Sequence, residues 1–97
     1  MTFLGVFSPG DSVKYRANFH TDQGTLVDPT GAASRLETPA GAFSDLTAPS
    51  KINSKTGHYG GEIDTTGFSD GLYVVRVSGT VATGKSVASS MAFQVES

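Results

Sequence analysis

Only a few side chains in this sequence are of the types that carry acid–base or nucleophilic chemistry. His20 and His58 are its two histidines, and the chain also contains many serines and aspartates. A Ser-His-Asp hydrolase site needs a nucleophile held against a base that a third group orients. Both histidines fall at outward-facing positions of predicted strands, where an imidazole lies in water. The sequence therefore predicts two surface histidines, no catalytic residues and no enzyme activity.

Metal binding is the second chemistry to weigh. His20 and His58 would need a third ligand such as Glu62, because two imidazoles alone make a poor zinc site. Asp64 and Asp70 flank a T-T-G-F-S loop, and calcium favours several oxygens in one loop. The D-x-D-x-D-G calcium motif is missing, and aspartates beside turns ordinarily cap the backbone. We expect capping carboxylates, no cofactor and no metal ligands, with metal binding by His20 or His58 left open.

The glycines around residue 60 are the third candidate. Gly57, Gly60 and Gly61 do not form a phosphate-binding loop, because no Lys-Ser/Thr pair follows them and no helix begins there. A glycine pair inside a strand more often marks a bulge or the close approach of another backbone. That second backbone could belong to another subunit, so this feature favours an assembly role.

Length, charge and composition limit the classes of partner. The 97 residues carry a formal net charge of −2 and contain no cysteine, which predicts one domain over residues 1–97 that is stabilised by packing and sheet hydrogen bonds. The basic residues are scattered, and only Lys14 and Arg16 share a strand face, so nucleic-acid binding is not expected. No apolar run is long enough for a membrane helix. The N-terminal residues lack the basic start of an export signal.

The elements that must position these side chains are strands. The hairpin over 72–96 has side chains on alternating sides of two strands that an A-T-G-K turn joins, and Gly84 supplies the positive φ that such a turn needs. Tyr73, Val75 and Val77 lie on one side of its first strand. A second apolar set, which ends at Val95, lies on one side of its second strand. We therefore place this hairpin at the centre of the fold, within one sheet.

The segment from Ser12 to Thr21 has the clearest alternation in the chain. Its inward set is Val13, Tyr15, Ala17 and Phe19; its outward set is Lys14, Arg16, Asn18 and His20. Such a strand has one face on the core and one in water, and a one-residue slip would bury two cations. A D-Q-G turn then leads into a short strand at 25–27.

The remaining strands are shorter or less regular. We predict a first strand at Thr2–Phe7 on a sheet edge, with a bend at Gly5, a strand at 32–38 anchored by Leu36, and a strand at 58–64. Residues 43–54 are predicted to be irregular or to form a short strand, because Pro49 argues against a central strand. Phe68 is expected to fold back onto the core. No helix is predicted, because no window repeats apolar residues at helical spacing.

The order of short motifs resembles a known family. S-P-G-D-S-V, D-Q-G-T-L-V-D-P-T, T-G-H-Y-G-G-E-I-D and D-G-L-Y-V-V-R-V follow one another, and A-F-Q-V-E ends the series. This series resembles the bacterial and phage immunoglobulin-like domains of macroglobulin and invasin type. The resemblance implies an all-β, immunoglobulin-like antiparallel β-sandwich of about seven strands. Gly71-x-Tyr73 also resembles the tyrosine corner of Greek-key sandwiches, which implies a structural role for the Tyr73 hydroxyl.

These inferences together predict a non-enzymatic structural or interaction module. It would act by protein–protein contact or self-association through an edge strand or a sheet face. A phage virion component or a cell-surface domain is the favoured setting. The alternative is a carbohydrate-binding module, for which Phe43 and Phe68 are the only loop aromatics, since Tyr15, Tyr59 and Tyr73 are predicted to point inward.

Overall fold

The chain folds into two β-sheets that pack face to face. The computed structural model describes residues 2–97, and all of its regular elements are strands. They are β1 (Thr2–Phe7), β2 (Ser12–Asn18), β3 (Thr30–Glu37), β4 (Phe43–Asp45), β5 (Ser50–Lys51), β6 (His58–Asp64), β7 (Gly71–Ala82) and β8 (Lys85–Val95). The larger sheet has the order β1-β8-β7-β3-β4, and the smaller sheet has the order β2-β6-β5. The predicted all-β sandwich is confirmed.

The strand count and one strand pairing differ from the prediction. The structure has eight strands, because the segment predicted to be irregular contains the short strands β4 and β5. β1 lies parallel to β8, whereas every other named pairing is antiparallel, so the sandwich is not wholly antiparallel as expected. No tight turn joins β1 to β8, since they lie at opposite ends of the chain, and a parallel pairing is therefore open to them.

The β7–β8 hairpin is central, as predicted. It occupies the middle of the larger sheet and carries buried residues from both strands. Its inward side chains include Tyr73, Val75 and Phe93, and the Tyr73 ring stacks on the Phe93 ring with centroids 5.4 Å apart. Phe68 stacks on the other side of Tyr73 at 4.9 Å, so it does fold back onto the core. Aromatic pairs in these geometries add to the stability that burial alone provides.

β2 confirms its predicted alternation but ends early. Val13, Tyr15 and Ala17 are buried, and the outward residues between them are exposed. The strand stops at Asn18 and not at Thr21, because the chain turns through a loop in which only His20 and Leu26 form an isolated bridge. No strand is found at 25–27. Phe19 is still buried beyond the strand end, where its N–H donates to the Gly57 carbonyl at 2.8 Å.

β1 is an edge strand with a local irregularity at Gly5, as predicted. Phe3 pairs with Ala92 and Val6 with Gln94, so three steps along β1 match two steps along β8. The additional residue is accommodated at Gly5, whose φ of 128° disfavours a side chain. This bulge keeps Phe3 and Val6 exposed on one side, while Phe7 on the other side packs edge-on against the core.

The middle of the chain departs from the prediction in small ways. β3 begins at Thr30, two residues before the predicted start, and Leu36 is its buried anchor as expected. Pro49 directly precedes β5, an edge strand of two residues, so it interrupts no central ladder. Within residues 2–97, the structure contains no helix that is long and apolar enough to cross a membrane.

Candidate functional site

The predicted surface histidines do not form a chemical site with other ligands. His20 is exposed in the loop after β2, and His58 lies half-buried at the start of β6, opposite Asn18. Glu62 lies further along β6, opposite Lys14. Among the residues that the structure describes, no group of three or more His, Asp or Glu side chains is placed to hold a metal ion.

The two loop aspartates act on the backbone in different places. Asp64 accepts hydrogen bonds from the Thr66 hydroxyl at 2.7 Å and the Thr66 N–H at 3.0 Å, which confirms its predicted capping role. The hydrogen bond from the Thr66 hydroxyl lowers the pKa of Asp64 most, and the hydrogen bond from the Thr66 N–H lowers it further. Asp70 instead accepts from the N–H and the hydroxyl of Ser97, so it holds the end of the chain and does not cap its own turn.

Residues 67–71 read G-F-S-D-G and match the Gly-x-Ser-x-Gly spacing of a hydrolase nucleophile turn, a motif that sequence reasoning missed. In hydrolases that serine lies between a strand and a helix. Ser69 lies here between β6 and β7, two strands, and its carbonyl accepts the Tyr73 hydroxyl at 2.8 Å. No histidine lines the groove beside Ser69. The motif is therefore part of a strand connection, and the Tyr73 bond is the predicted tyrosine-corner contact.

Gly60 and Gly61 are packed by side chains of the same chain. A Cβ at Gly61 would lie 2.5 Å from the Tyr15 hydroxyl oxygen, and one at Gly60 would lie 2.8 Å from the Ile52 Cδ1 atom and 2.5 Å from the Tyr15 carbonyl oxygen. The β2–β6 register is continuous, so the glycine pair forms no bulge. The predicted close approach of other atoms to the glycine pair is confirmed, but those atoms belong to Tyr15 and Ile52 of the same chain. The pair therefore gives no support to an intersubunit contact.

A buried hydrogen bond joins the two sheets. The Tyr15 hydroxyl on β2 lies 2.7 Å from the Ser34 Oγ on β3, and both residues are buried. Each oxygen is the partner of the other, so neither hydroxyl is left without a hydrogen bond in the core. The alternation of β2 predicted an inward Tyr15, but only the packing of the sheets identified Ser34 as its partner.

Asp28 attaches a loop to the smaller sheet. Its carboxylate accepts from the Lys51 Nζ at 2.8 Å and from the Gly57 N–H at 2.9 Å. The hydrogen bond from Lys51 lowers the pKa of Asp28 most, and the hydrogen bond from the Gly57 N–H lowers it further. The hydrogen bond to Asp28 also raises the pKa of Lys51. The Lys51 contact is solvent-exposed and the Gly57 contact is partly buried. Both are structural, and sequence reasoning had placed Asp28 only at a turn.

A groove lies between the sheets, beside β4 and β6. It has a volume of about 650 Å³, and Phe68 and Tyr73 contribute to its wall. Asp45, Glu62 and Asp64 also line it, but Asp45 lies 3.5 Å from the Arg35 Nε and Asp64 is held by Thr66. The groove therefore combines an aromatic edge with carboxylates, two of which already have partners.

The outer face of the larger sheet is the most distinctive surface of the molecule. Of the five large hydrophobic side chains that are well exposed among residues 2–97, Phe3, Val6, Phe43 and Leu72 lie on this face, and only Leu26 lies elsewhere. The strand registers place them in two adjacent rows. One row runs Phe3, Ala92, Val74, Glu37 and Phe43, and the other runs Val6, Gln94 and Leu72. We call the apolar members of these rows the apolar band: Phe3, Val6, Phe43, Leu72, Val74 and Ala92.

Charged residues flank the apolar band at both ends of the strands. Arg76 and Arg35 pair across β7 and β3 on one side, and Arg35 lies over the Phe43 ring at 5.2 Å while it contacts Asp45. Glu96 lies at the other end, where it accepts a hydrogen bond from the outward Gln94 side chain at 2.7 Å. Within residues 2–97, neither Arg76 nor Glu96 forms an ion pair.

Comparison with known proteins gives no family for this chain. No protein-family model matches the chain, and no curated protein matches it significantly.

Proposed function

We propose that this protein is a non-enzymatic interaction module that binds a protein partner through the apolar band. The observation that carries the proposal is the clustering of exposed hydrophobic side chains on one sheet face. Single exposed hydrophobic residues are ordinary, but a contiguous set with a polar rim is typical of a protein contact surface. Phe3, Ala92 and Val74 are neighbours across three strands, and Arg76 and Glu96 lie beyond the two ends of the band. Glu37 lies between Val74 and Phe43, and Gln94 lies between Val6 and Leu72, so two polar side chains interrupt the apolar surface.

The band is also suited in composition to be the centre of an interface. Phe3, Phe43 and Leu72 are each at least half exposed, so a partner would remove much apolar surface from water. Interface centres are enriched in aromatic residues and arginine and depleted in charge. Arg35 over the Phe43 ring places both types side by side.

We propose further that the module is of the immunoglobulin-like class. In such sandwiches one sheet contains the first, second, fifth and fourth strands and the other contains the third, sixth and seventh. β1 departs from this arrangement, because it lies beside β8 in the larger sheet. The order β2-β6-β5 against β8-β7-β3 agrees with this arrangement when the short β4 is counted as an additional strand beside β3. The Tyr73 hydroxyl bond to the Ser69 carbonyl supports the same class. The motif order in the sequence favours a phage virion component or a cell-surface domain.

Site-specific photo-crosslinking in the producing cells tests the proposed contact surface. A photo-reactive phenylalanine analogue replaces Phe43 on the apolar band in one variant and Lys14 on the opposite sheet in the matched control. We expect a discrete protein adduct from position 43 and none from position 14. Equal adducts from both positions, or no adduct from position 43, would overturn the proposal.

A carbohydrate-binding role is the second candidate, and the groove between the sheets favours it. Phe68 and the carboxylates of Glu62 and Asp64 line that groove, and sugar sites combine aromatic rings with hydrogen-bonding groups. The Phe68 ring, however, already stacks on Tyr73 and is half-buried. A glycan array decides the matter: binding that Phe68→Ala abolishes and Phe43→Ala preserves would replace the interaction proposal with this one.

A further inference from the structure

We propose that the partner of the apolar band is a second copy of this chain, bound face to face so that the strands of the two copies run antiparallel across the interface. The inference rests on the proposed function, because it names the occupant of the same surface. It is carried by the charges beyond the two ends of the band. One end presents the cation Arg76 and the other the anion Glu96, and neither forms an ion pair within residues 2–97, although Glu96 accepts a hydrogen bond from Gln94.

The spacing of these charges along the strands makes the face self-complementary. Arg76 lies four residues after Leu72 on β7, and Leu72 is opposite Gln94 on β8. Glu96 lies two residues beyond Gln94, on the same side of the sheet as its hydrogen-bonded neighbour. The cation and the anion are therefore about six residues, or roughly 20 Å, apart along the strand direction, with Leu72 and Val74 between them.

Two-fold symmetry then selects one arrangement. Two faces can meet about a two-fold axis that lies in the interface plane. An axis across the strands, at the level between Leu72 and Val74, places Arg76 of each copy against the acidic end of the other. That end contains Glu96 and, directly before β7, Asp70. An axis along the strands would instead place Arg76 against Arg76, and like charges in contact are strongly unfavourable.

The same axis brings apolar residues together. On β1, the two-fold rotation places the Phe3 ring of one copy opposite Val6 of the other. On β7, it places Leu72 of one copy opposite Val74 of the other. All four side chains would leave water at the centre of the interface, while the ion pairs lie at its rim. This is the usual division between an apolar centre and a polar edge.

The larger sheet also has sufficient extent for a stable dimer. Five strands at about 4.8 Å spacing give a width of roughly 24 Å, and the 12 residues of β7 give a length of roughly 40 Å. The longest dimension of the molecule, 42 Å, agrees with that length. The other strands of the sheet have 3 to 11 residues, so the flat outline of the face is roughly 600 Å². A standard interface takes about 800 Å² of accessible surface from each partner, so the dimer would use the whole of this face together with the relief of its side chains.

A charge exchange between two variants tests the arrangement. Sedimentation equilibrium would measure the dimer dissociation constant of the wild-type chain, of Arg76→Glu, of Glu96→Arg and of an equimolar mixture of the two variants. Each variant alone places like charges at both contacts, so we expect its dissociation constant to rise at least about tenfold. In the mixture, both contacts of a heterodimer join opposite charges, so we expect dimerisation to return to the wild-type level.

Lys14→Glu, on the opposite sheet, is the matched control and is expected to leave the dissociation constant unchanged. Denaturation curves for each variant would confirm that every chain is folded. A monomeric wild-type chain at millimolar concentration would overturn the inference, as would a mixture that stays monomeric or a dimer that Arg76→Glu does not weaken.

Failure of this inference and failure of the proposed function give different results. If the wild-type chain is monomeric but position 43 still crosslinks to a different protein, the band is a contact surface and its partner is not a second copy. If the chain is monomeric and position 43 forms no adduct, both proposals fail. An adduct of twice the chain mass from position 43 supports both.

Discussion

The two sheets of this sandwich have similar inner faces and very different outer faces. On β2 of the smaller sheet, the outward residues include Lys14 and Arg16 and are exposed, as expected for a strand with water on one side. On the larger sheet, the outward residues include Phe3, Phe43 and Leu72, which are also exposed. Water is a good solvent for the first surface and a poor one for the second. The difference shows that an alternating pattern identifies the inner face of a strand but does not require its outer face to be polar.

The sheets also differ in how polar groups hold them in place. The smaller sheet is attached by the Tyr15–Ser34 hydrogen bond across the core and by the Asp28 contacts to Lys51 and Gly57. The larger sheet is a five-stranded ladder, with irregular register in three of its pairings and aromatic stacking beneath it. The smaller sheet therefore depends more on individual side-chain contacts.

The largest effect is expected from two phenylalanines on opposite faces of the larger sheet. Phe93 is fully buried and Phe43 is 57% exposed. Phe93→Ala should lower the free energy of unfolding by about 3–5 kcal/mol, because it removes apolar burial and leaves a cavity. Phe43→Ala should cost no more than about 1 kcal/mol, chiefly from the Arg35 contact. Urea denaturation measures both, and equal losses would show that the two faces are not distinct in packing.

The next effect concerns the glycine beneath Tyr15 in the smaller sheet. Gly61→Ala should destabilise the fold by about 1–3 kcal/mol, because the new methyl group would lie too close to the buried Tyr15 ring. The three nearest atoms are the Tyr15 hydroxyl oxygen at 2.5 Å, Cζ at 2.7 Å and Cε1 at 2.9 Å, so the same substitution should cost less in a Tyr15→Leu background, which removes all three. A thermal or urea double-mutant cycle measures this coupling. Strict additivity would contradict the proposed contact.

Two tyrosine hydroxyls allow a smaller and more specific comparison. Tyr15→Phe should cost about 1–3 kcal/mol, because it leaves the buried Ser34 hydroxyl without its partner. Tyr73→Phe removes a bond to a partly buried carbonyl and should cost about 0.5–1.5 kcal/mol. Matched urea titrations compare them. A larger loss for Tyr73→Phe would mean that the tyrosine corner, and not the bond between the sheets, is the more important polar contact.

The smallest effect is a pH dependence at the edge of the smaller sheet. The Lys51 hydrogen bond lowers the pKa of Asp28 in the folded chain below the ordinary value of about 3.9. The unfolded chain therefore binds the proton more readily, so the contribution of Asp28 is complete above about pH 4 and is lost as pH falls through the lower folded pKa. Asp28→Asn should reduce the slope of stability against pH in that window. An unchanged slope in urea titrations from pH 2 to 5 would contradict this role.

The strands with regularly placed inward apolar residues between turn signals were predictable from the sequence. The strands at Thr2–Phe7 and His58–Asp64 and the 72–96 hairpin lie where the pattern placed them, as do the inward Tyr15 and the anchor Leu36. A side-chain period of two is a local property of an extended chain, so it can be recognised without knowledge of its neighbours. The Tyr73 hydroxyl bond was also foreseen, because its partner is only four residues away.

The tertiary structure alone decided the features that join distant parts of the chain. The parallel β1–β8 pairing, the Tyr15–Ser34 bond and the packing of Tyr15 against Gly61 all connect residues far apart in sequence. The apolar band is of the same kind, since it joins Phe3, Phe43 and Leu72 from three strands that only the sheet order brings side by side. Its residues looked like isolated hydrophobic positions in the sequence, because strand pairing is set by the packing of the whole sandwich and not by local conformational preference.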